Sequence, residues 1–336
     1  MTRVLAVTGV LSGCELYRVI SPFSHLKEQG HQVSWVPKEH LLWVDPASYD
    51  VLVLPRLGLE TREERAAFFQ DMRDLNKKVV LDIDDDLFNM PAHNPSANTP
   101  SQLESLEDVA RAVDMITVST RHLAKQLAPY NDNIKVLPNC IDPCLWRFDK
   151  HKIRLVKGLT VGVRGGHSHY HDWALLPAVL TRVAEICPEV TFVIAGYHPD
   201  YIEDLRKKLG ERVFLLGWVP LEHYPGAIAQ MDVGLCPLVD DLFNRSKSIL
   251  SVLEYGILGT PVVASPTVYQ EAVQHGMDGF LARTEDEWVR YIVKLVEKQK
   301  LRRQMGAALR GKVLAHHNIH KEAWRWMAAY DSLTRA

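Results

Sequence analysis

Short apolar segments alternate with longer amphipathic segments along most of the chain. Residues 4–8 are apolar, residues 15–29 fit a helix that ends at Gly30, and residues 31–36 are apolar again. A glycine-containing loop joins the first strand to the helix. A strand, a helix and a second strand in this order form the unit from which doubly wound folds are built. The pattern therefore predicts an α/β protein with parallel sheets.

The same alternation continues towards the carboxyl terminus. Thr61 and Glu64 form a predicted capping box at the start of one helix, and a serine-capped helix is predicted at 103–112. Further strands are predicted at residues 51–54, 79–83, 115–118, 159–163, 190–196, 213–216, 233–236, 262–264 and 279–281. Further helices are predicted at residues 61–75, 120–127, 173–186, 201–209, 270–274, 285–298, 301–314 and 319–333.

Residues 244–265 connect a helix directly to a buried strand. Small polar residues open the segment, and Ser246 or Ser248 is a candidate cap for the helix. The helix is predicted to end at Gly259, before the apolar strand 262–264.

One polar stripe crosses this otherwise apolar helix, formed by Lys247, Ser251 and Glu254 at helical spacing. A helix start with a lysine is a site for an anion, and diphosphate is the commonest anion held in this way. A carboxylate two turns further along the helix can accept hydrogen bonds from two hydroxyls of a sugar ring. The alternative is a solvated helix face with a surface ion pair.

A second glycine-containing loop follows the predicted strand 159–163. Arg164, Gly165 and Gly166 occupy the position where backbone N–H groups and a positive charge can hold a phosphate. Three histidines follow at every second position within residues 167–171, a spacing that suits a strand face better than a metal site in a loop.

Three consecutive aspartates, Asp84, Asp85 and Asp86, follow the predicted strand 79–83. The carboxyl end of a strand is where α/β folds bind ligands, so a metal site is one interpretation. A loop-shaping role is the interpretation we favour. His93 lies in the next loop, which is rich in proline and asparagine.

Composition and charge narrow the class of protein. No apolar run approaches the roughly 20 residues that span a bilayer, and the amino terminus fits a first strand better than a signal peptide. We therefore expect a cytoplasmic protein without integral membrane association. The five cysteines are scattered, which favours reduced thiols over disulfides or a zinc site. Residues 1–145 are acidic overall and the remainder is basic, which argues mildly against a broad nucleic-acid surface on the first half.

The sequence of residues 244–265, NRSKSILSVLEYGILGTPVVAS, resembles the donor-site helix of family 4 retaining nucleotide-sugar glycosyltransferases. These enzymes have the GT-B fold, in which two Rossmann-like domains face each other across a cleft. The family carries two glutamates separated by seven residues. Glu254 matches the second, which binds the ribose of the donor nucleotide. Ser246 stands where the first glutamate, which normally touches the donor sugar, is expected.

Two more segments resemble bacterial polysaccharide and phage-encoded members of this family. The sequence GCELYR, residues 13–18, resembles their first loop and helix, and VLPNCIDPCLW, residues 136–146, resembles their interdomain crossover. The resemblance implies an acceptor-side domain at residues 1–145 and a donor-binding domain at 146–315. A carboxy-terminal helix at 316–336 is then expected to cross back to the first domain.

The resemblance also implies a set of site residues. The catalytic residues are expected to be Arg164, Lys247 and Glu254. Donor-binding residues are expected to be Gly165, Gly166, His169, Gly217, Trp218, Val219, Pro220, Ser246, Ser248 and Ser251. Residues expected at the acceptor side of the cleft are Gly13, Cys14, Tyr17, Arg18 and His93. No metal and no other cofactor is expected, and the nucleobase is uracil or guanine.

The expected activity is metal-independent, retaining transfer of a sugar from a nucleoside-diphosphate sugar to an acceptor hydroxyl. The acceptor is either a polysaccharide or oligosaccharide, or a hydroxymethylated pyrimidine in phage DNA. The DNA alternative requires a basic track, for which the candidates are Arg18, Arg56, Arg121 and Lys125. Two alternatives to transfer remain, a non-hydrolysing sugar-nucleotide epimerase and a catalytically silent nucleotide-sugar-binding module.

Overall fold

The computed structural model describes residues 1–9, 13–55, 61–95, 97–147 and 154–334. Within these residues the strands form two sheets. The first contains β1 (Val4–Thr8), β2 (Val33–Pro37), β3 (Val51–Pro55), β4 (Lys78–Ile83), β5 (Met115–Val118) and β6 (Ile134–Val136). The second contains β7 (Thr160–Gly165), β8 (Thr191–Gly196), β9 (Val213–Leu216), β10 (Val233–Cys236), β11 (Val262–Ala264) and β12 (Gly279–Leu281).

Both sheets are parallel and doubly wound. The strand order is β2-β1-β3-β4-β5-β6 in the first sheet and β12-β11-β10-β7-β8-β9 in the second. The predicted fold class, two Rossmann-like domains, is confirmed. The winding direction reverses between β1 and β3 and again between β7 and β10. Folds of this class bind ligands outside the carboxyl ends of the strands at such points, so Arg164 and Gly165 at the end of β7 lie in a favoured position.

Helices cover both faces of each sheet. The α-helices are α1 (Gly13–Glu15), α2 (Ser21–Glu28), α3 (Arg62–Asp74), α4 (Pro100–Ala112), α5 (Arg121–Leu127), α6 (Leu176–Ile186), α7 (Asp200–Leu209), α8 (Tyr224–Ile228), α9 (Leu242–Arg245), α10 (Leu250–Ile257), α11 (Pro266–Tyr269), α12 (Glu285–Glu297), α13 (Gln299–His316), α14 (Ile319–Glu322) and α15 (Trp324–Thr334). A π-helix, Leu16–Ile20, joins α1 to α2. Short 3-10 helices lie at Lys38–Trp43, Pro46–Ser48, His167–His169 and Gly210–Arg212. None of the described helices is long and apolar enough to cross a membrane.

Neighbouring residues of a strand point to opposite faces of the first sheet, and each face has its own apolar core. Leu52 packs in one core with Phe69 of α3. Val51 packs in the other core with Trp326 of α15. Continuous apolar strands such as β3 are therefore explained by burial on both faces.

Capping residues set two of the helix starts. Thr61 and Glu64 form the predicted capping box at the start of α3. The predicted serine cap of the next helix is wrong, because Thr99 is the cap and exchanges hydrogen bonds with Gln102. Pro100 then occupies the first helical position, where its missing N–H leaves no intrahelical bond unmade.

The last helix, α15, packs against the first sheet although it follows the second sheet in sequence. Trp326 and Tyr330 are buried in the core of the first sheet. The indole Nε1 of Trp326 donates a hydrogen bond to the backbone carbonyl of Arg18 at 3.2 Å. Trp324 of the same helix is exposed and takes no part in this packing.

The segment between the sheets contacts the segment that leads to the last helices. Ile141 N donates to the carbonyl of His317 at 2.8 Å, and Ile319 N donates to the carbonyl of Ile141 at 3.0 Å. Asp142 Oδ1 lies 3.1 Å from His320 Nε2. Both connections between the two halves of the molecule therefore run side by side.

Lowering the pH is expected to destabilise the protein partly through His317 in this connection. Burial, and then the charges of His316 and Lys312, lower the pKa of His317 to about 4. The unfolded chain binds its proton near pH 6.5, so the free energy of unfolding falls as the pH drops from 6.5 towards 4. Between pH 7 and pH 5, His317→Gln should remove about 1–2 kcal/mol of this loss in urea unfolding. A pH dependence no smaller than that of the exposed control variant His40→Gln would contradict the assignment.

Candidate functional site

Loops at the carboxyl ends of the two sheets contact each other directly. Tyr17, in the π-helix that follows β1, donates its hydroxyl hydrogen to Glu254 Oε1 of α10 at 2.8 Å. Thr120, at the end of β5, donates to the backbone carbonyl of Ser246 at 3.0 Å. The ligand-binding ends of both sheets therefore form one region, in which first-domain and second-domain residues share hydrogen bonds.

Glu254 lies at the centre of a buried polar cluster. Its side chain is 2 % exposed, and its Oε2 accepts a hydrogen bond from the hydroxyl of Tyr224 at 2.9 Å. The Arg164 guanidinium forms an ion pair with the same oxygen, while Tyr17 occupies Oε1. A buried carboxylate is stable only when it is paired and hydrogen-bonded, and these three partners meet that requirement.

The electrostatics of this cluster keep its donors charged or protonated at neutral pH. Burial lowers the pKa of Arg164, but the Glu254 carboxylate and the neighbouring tyrosines together outweigh burial, and the net shift is upward. Burial also raises the pKa of the Tyr17 and Tyr224 hydroxyls well above the usual value. The Nε atom of Arg164 is buried and has no hydrogen-bond partner among the described residues. An unpaired guanidinium N–H is a position that favours an anionic acceptor.

The resemblance implies that Glu254 binds the ribose of a donor nucleotide. In the structure both carboxylate oxygens contact protein groups rather than an open cleft. A ribose hydroxyl would have to take the place of Tyr17 or Tyr224. Ribose binding by Glu254 stays a prediction. In this structure it would require Tyr17 or Tyr224 to move away from the carboxylate.

The helix that carries Glu254 begins later than the sequence predicts. The residue before α10 is Ile249, which has no polar side chain to cap the helix. The expectation that Ser246 or Ser248 caps this helix is wrong. Residues 242–245 instead form the separate short helix α9, which Asp241 caps, and the chain turns before α10 begins.

Ser246 lies inside the contact between the two domains. It is fully buried, and its hydroxyl lies 3.2 Å from Asp86 Oδ2 and 3.1 Å from Gln126 Oε1. Ser248 Oγ accepts a hydrogen bond from Asn139 Nδ2 at 3.1 Å. Both serines therefore join the two domains, and the side chain at 246 contacts protein on the side facing the first domain.

Lys247 lies in the turn before α10, so it does not continue the predicted helical stripe with Ser251 and Glu254. Its Nζ is 3.8 Å from Asp85 Oδ2 of the first domain and 4.3 Å from the ring centroid of Phe243. The side chain is 12 % exposed. The ammonium group is therefore partly desolvated, and its ion pair with Asp85 is too long for a direct hydrogen bond.

His169 is held in place by a buried carboxylate. Its Nδ1 lies 2.7 Å from Asp172 Oδ2, and Asp172 Oδ1 accepts from Val239 N at 2.9 Å and Asn244 Nδ2 at 2.7 Å. Burial lowers the pKa of His169, although the bond to Asp172 opposes this shift. A Cβ atom at Gly165 would collide with the His169 ring, so glycine at this position permits the arrangement.

An exposed aromatic side chain borders the glycine end of β7. Trp218, in the loop 217–220 between β9 and α8, is 70 % exposed. Its ring centroid lies 6.5 Å from that of His167 with an interplanar angle of 22°. A Cβ atom at Gly166 would lie 3.4 Å from the Trp218 ring. The loop 217–220 therefore adjoins residues 164–166, the predicted phosphate-binding loop at the end of β7.

Asp86 organises the loop that follows β4. Its Oδ1 accepts from the backbone N–H groups of Phe88 and Asn89, each at 3.1 Å, and its Oδ2 accepts from Gln126 Nε2 at 2.8 Å. Asp86 is buried. These bonds give Asp86 a loop-shaping role, while the neighbouring Asp85 faces Lys247.

One group of potential metal ligands occurs among the described residues. Ligand atoms of Asp142, Cys144 and His320 all lie within 4.8 Å of one another. This group belongs to the connection between the domains, and none of the predicted site residues is part of it.

Arg18 is buried in the first domain. Its side chain is 2 % exposed, its Nε and one terminal nitrogen donate to the two oxygens of Asp82 at 3.0 and 2.7 Å, and the other contacts Asn139 Oδ1 at 3.1 Å. The expectation that Arg18 reaches a phosphate or joins a basic track is contradicted, because its donors are used inside the domain. Arg56, a further candidate for that track, lies outside the described residues.

The remaining acceptor-side residues lie on the first domain. The His93 ring centroid is 4.3 Å from that of His171 of the second domain, so His93 borders the region between the domains. Burial, and then His171, lower the pKa of His93. Gly13 and Cys14 begin α1, and Cys14 is exposed.

Sequence reasoning missed two contributors to this region. Tyr224 binds Glu254 from a helix thirty residues earlier in the chain, and no local motif marks it. Gln126 contacts both Asp86 and Ser246 from α5.

Ser251, predicted to bind the donor, hydrogen-bonds Tyr269 within the second domain.

Solved structures of known proteins share the fold over the whole chain. HepE from Anabaena, solved in complex with UDP and glucose, has a TM-score of 0.70 at 18 % identity, with 99 % of this chain and 100 % of that chain covered. A sucrose-phosphate synthase from Thermosynechococcus elongatus has a TM-score of 0.70 at 15 % identity, with 99 % of each chain covered. A putative UDP-N-acetylglucosamine 2-epimerase from Listeria monocytogenes has a TM-score of 0.59 at 11 % identity, covering 99 % of this chain and 96 % of that chain. At these identities the similarity shows the fold alone.

The sequence itself matches a family model over most of the second domain. Residues 160–298 match the family described as Glycosyl transferases group 1. These findings support a group 1 glycosyltransferase. The matched segment contains Arg164, His169, Lys247 and Glu254. No curated protein matches the sequence.

Proposed function

We propose that the protein transfers a sugar from a nucleoside-diphosphate sugar, with UDP as the nucleotide, to an acceptor hydroxyl. The observation that carries this proposal is the group 1 match over residues 160–298, since that segment holds Arg164, Lys247 and Glu254 around the carboxyl ends of the second sheet. UDP is the proposed nucleotide because the HepE structure of the same fold contains UDP.

The proposed chemistry depends on cations beside the leaving diphosphate. Negative charge develops on the diphosphate as the glycosidic bond breaks, and fixed positive groups stabilise that charge. Lys247 and the unpaired Nε of Arg164 are the proposed groups, and Glu254 holds the Arg164 guanidinium in place. We propose that the acceptor hydroxyl gives its proton to the leaving phosphate. The reaction then needs neither a metal nor a second carboxylate, and the anomeric configuration of the sugar is retained.

The acceptor is proposed to approach from the first domain. Tyr17 and His93 contact the second domain there. A polysaccharide or oligosaccharide hydroxyl is the proposed acceptor class. Hydroxymethylated DNA remains the alternative because Arg121 and Lys125, unlike Arg18, line an open interdomain pocket of about 540 Å³.

Binding of UDP is expected to stabilise the protein. A ligand bound only by the folded state adds RT ln(1 + [L]/Kd), which is about 2.7 kcal/mol at a hundredfold excess over Kd. The measurement is a thermal-shift panel with UDP, GDP, ADP, CDP and dTDP, in which UDP should give the largest shift. Uridine without phosphates is the control, since it lacks the group that Lys247 and Arg164 are proposed to bind. No shift with any of the five diphosphates at millimolar concentration would contradict the proposal.

A turnover assay with donor alone separates transfer from the alternatives. With donor alone, an epimerase converts the donor, whereas a transferase leaves the sugar epimer unchanged. When an oligosaccharide acceptor is added, a transferase releases the nucleotide stoichiometrically with glycosylated product, and a silent binding module does neither. The assay contains EDTA, because the proposed reaction needs no metal. Activity that appears only after manganese is added would contradict metal independence.

A further inference from the structure

A pocket of about 710 Å³ lies where the connection between the domains meets α10 and α13. Three arginines line it, Arg147, Arg303 and Arg310. Its remaining described lining residues are apolar or glycine, and no carboxylate is among them. A pocket with three positive side chains and no acidic lining residue has a strongly positive interior.

The arginines differ in how they are held. Arg310 Nε donates to the backbone carbonyl of Ile257 at 3.1 Å, which fixes the base of its guanidinium against the wall of the pocket. Arg147 and Arg303 are exposed, so their guanidinium groups are free to turn towards a ligand. Guanidinium groups bind phosphate and carboxylate through paired hydrogen bonds, which a lysine does not match.

The rest of the wall is apolar. Pro143, Trp146, Ile257 and Ala307 line it, and Trp146 is buried. The wall therefore offers an apolar surface beside the three positive groups.

We propose that this pocket binds a small organic molecule that carries phosphate groups on two different carbon atoms. Its volume lies within the range of about 300–1,000 Å³ that is typical of small-molecule sites, and it is too large for a single inorganic ion. Three arginines balance the charge of two phosphate groups, and the apolar wall contacts the carbon skeleton. This site is distinct from the donor site proposed above.

The pocket nevertheless adjoins the helix that carries Glu254. Ile257 and Gly259, at the end of that helix, form part of its lining. Trp146 contacts the Tyr224 ring edge-to-face, with centroids 5.8 Å apart, and Tyr224 binds Glu254. A ligand in the pocket therefore contacts the back of the same elements that form the candidate active region.

Isothermal titration with fructose 1,6-bisphosphate as the probe tests the proposal. The variant Arg147→Gln/Arg303→Gln removes two positive groups that make no described structural contact, and should bind the probe about tenfold more weakly or worse. The matched control Arg206→Gln removes an exposed arginine of α7 and should bind as the wild type does. Lys247→Ala, altered only in the proposed donor site, should also bind as the wild type does.

UDP titration of the same proteins separates the two sites. The double variant should keep the wild-type affinity for UDP, whereas Lys247→Ala should lose it. If the proposed donor site is wrong but the pocket proposal is right, the wild type binds fructose 1,6-bisphosphate and does not bind UDP. Three results would each overturn the pocket proposal: no bisphosphate binding by the wild type, equal binding by the double variant, and loss of binding in Lys247→Ala alone.

Discussion

Replacing Glu254 by alanine is expected to lower the free energy of unfolding by about 3–5 kcal/mol. The change leaves Arg164 buried without its carboxylate, and the hydroxyls of Tyr17 and Tyr224 lose their acceptor. An uncompensated buried charge costs far more than a lost surface ion pair. The measurement is urea unfolding at pH 7, followed by tryptophan fluorescence.

Three control variants identify the cause of the loss. Glu254→Gln keeps the shape and one acceptor oxygen, so it should cost less than Glu254→Ala. Glu254→Met combined with Arg164→Met removes both charges and should recover part of the stability, because well-packed apolar residues can replace a buried ion pair. Asp240→Asn breaks an exposed pair with Arg245 and should change the free energy of unfolding far less than Glu254→Ala does. If Glu254→Ala costs no more than Asp240→Asn, the carboxylate faces an open cleft instead.

The fold was predictable because burial leaves a direct pattern in the sequence. β3 and β4 are covered on both faces, so they read as continuous apolar runs bounded by polar turns. Alternation of such runs with amphipathic helices leaves few topologies other than a doubly wound sheet. The Thr61 capping box was readable for the same reason, since its two partners lie three residues apart.

The side-chain partners of the site were not predictable in this way. Glu254 was expected to bind a ligand, but its protein partners come from positions 237, 30 and 90 residues away along the chain: Tyr17, Tyr224 and Arg164. A local pattern indicates that a polar residue in an apolar helix needs a partner, and it does not identify that partner. The fold of the second domain brings Arg164 and Tyr224 to Glu254, and the contact between the two domains adds Tyr17.

The environment of Arg18 was also not predictable from local sequence. Its position in a predicted cleft-side helix suggested an exposed cation, whereas the structure pairs it with Asp82 inside the first domain. A π-helix at Leu16–Ile20 sets where the side chains of this segment lie, and no spacing rule for an α-helix predicts that geometry. Tyr17 consequently points to the second domain and Arg18 is buried in the first.

Lys247→Ala is expected to reduce kcat/KM for the nucleoside-diphosphate sugar by about a hundredfold, which corresponds to losing about 2–3 kcal/mol of stabilisation of the leaving diphosphate. Of the cations proposed for the site, Lys247 has the weakest contact with a protein group. Its Nζ lies 3.8 Å from Asp85 Oδ2, and it forms no shorter ion pair among the described residues. Its charge is therefore available to a ligand, unlike that of Arg18. The variant should unfold within about 1 kcal/mol of the wild type, because a pair 3.8 Å apart has no direct hydrogen bond to lose.

The control variants for this prediction separate charge from position. Lys247→Arg keeps the positive charge and should retain much more activity than Lys247→Ala, while Lys207→Ala removes an exposed lysine of α7 and should leave turnover unchanged. The loss in Lys247→Ala should appear with a UDP-sugar as donor. It should be accompanied by a weaker thermal shift with UDP, because the same ammonium group is proposed to contact the diphosphate before and during transfer. Near-normal kcat/KM in Lys247→Ala, with the UDP shift unchanged, would place the diphosphate elsewhere and leave Lys247 as a contact between the two domains.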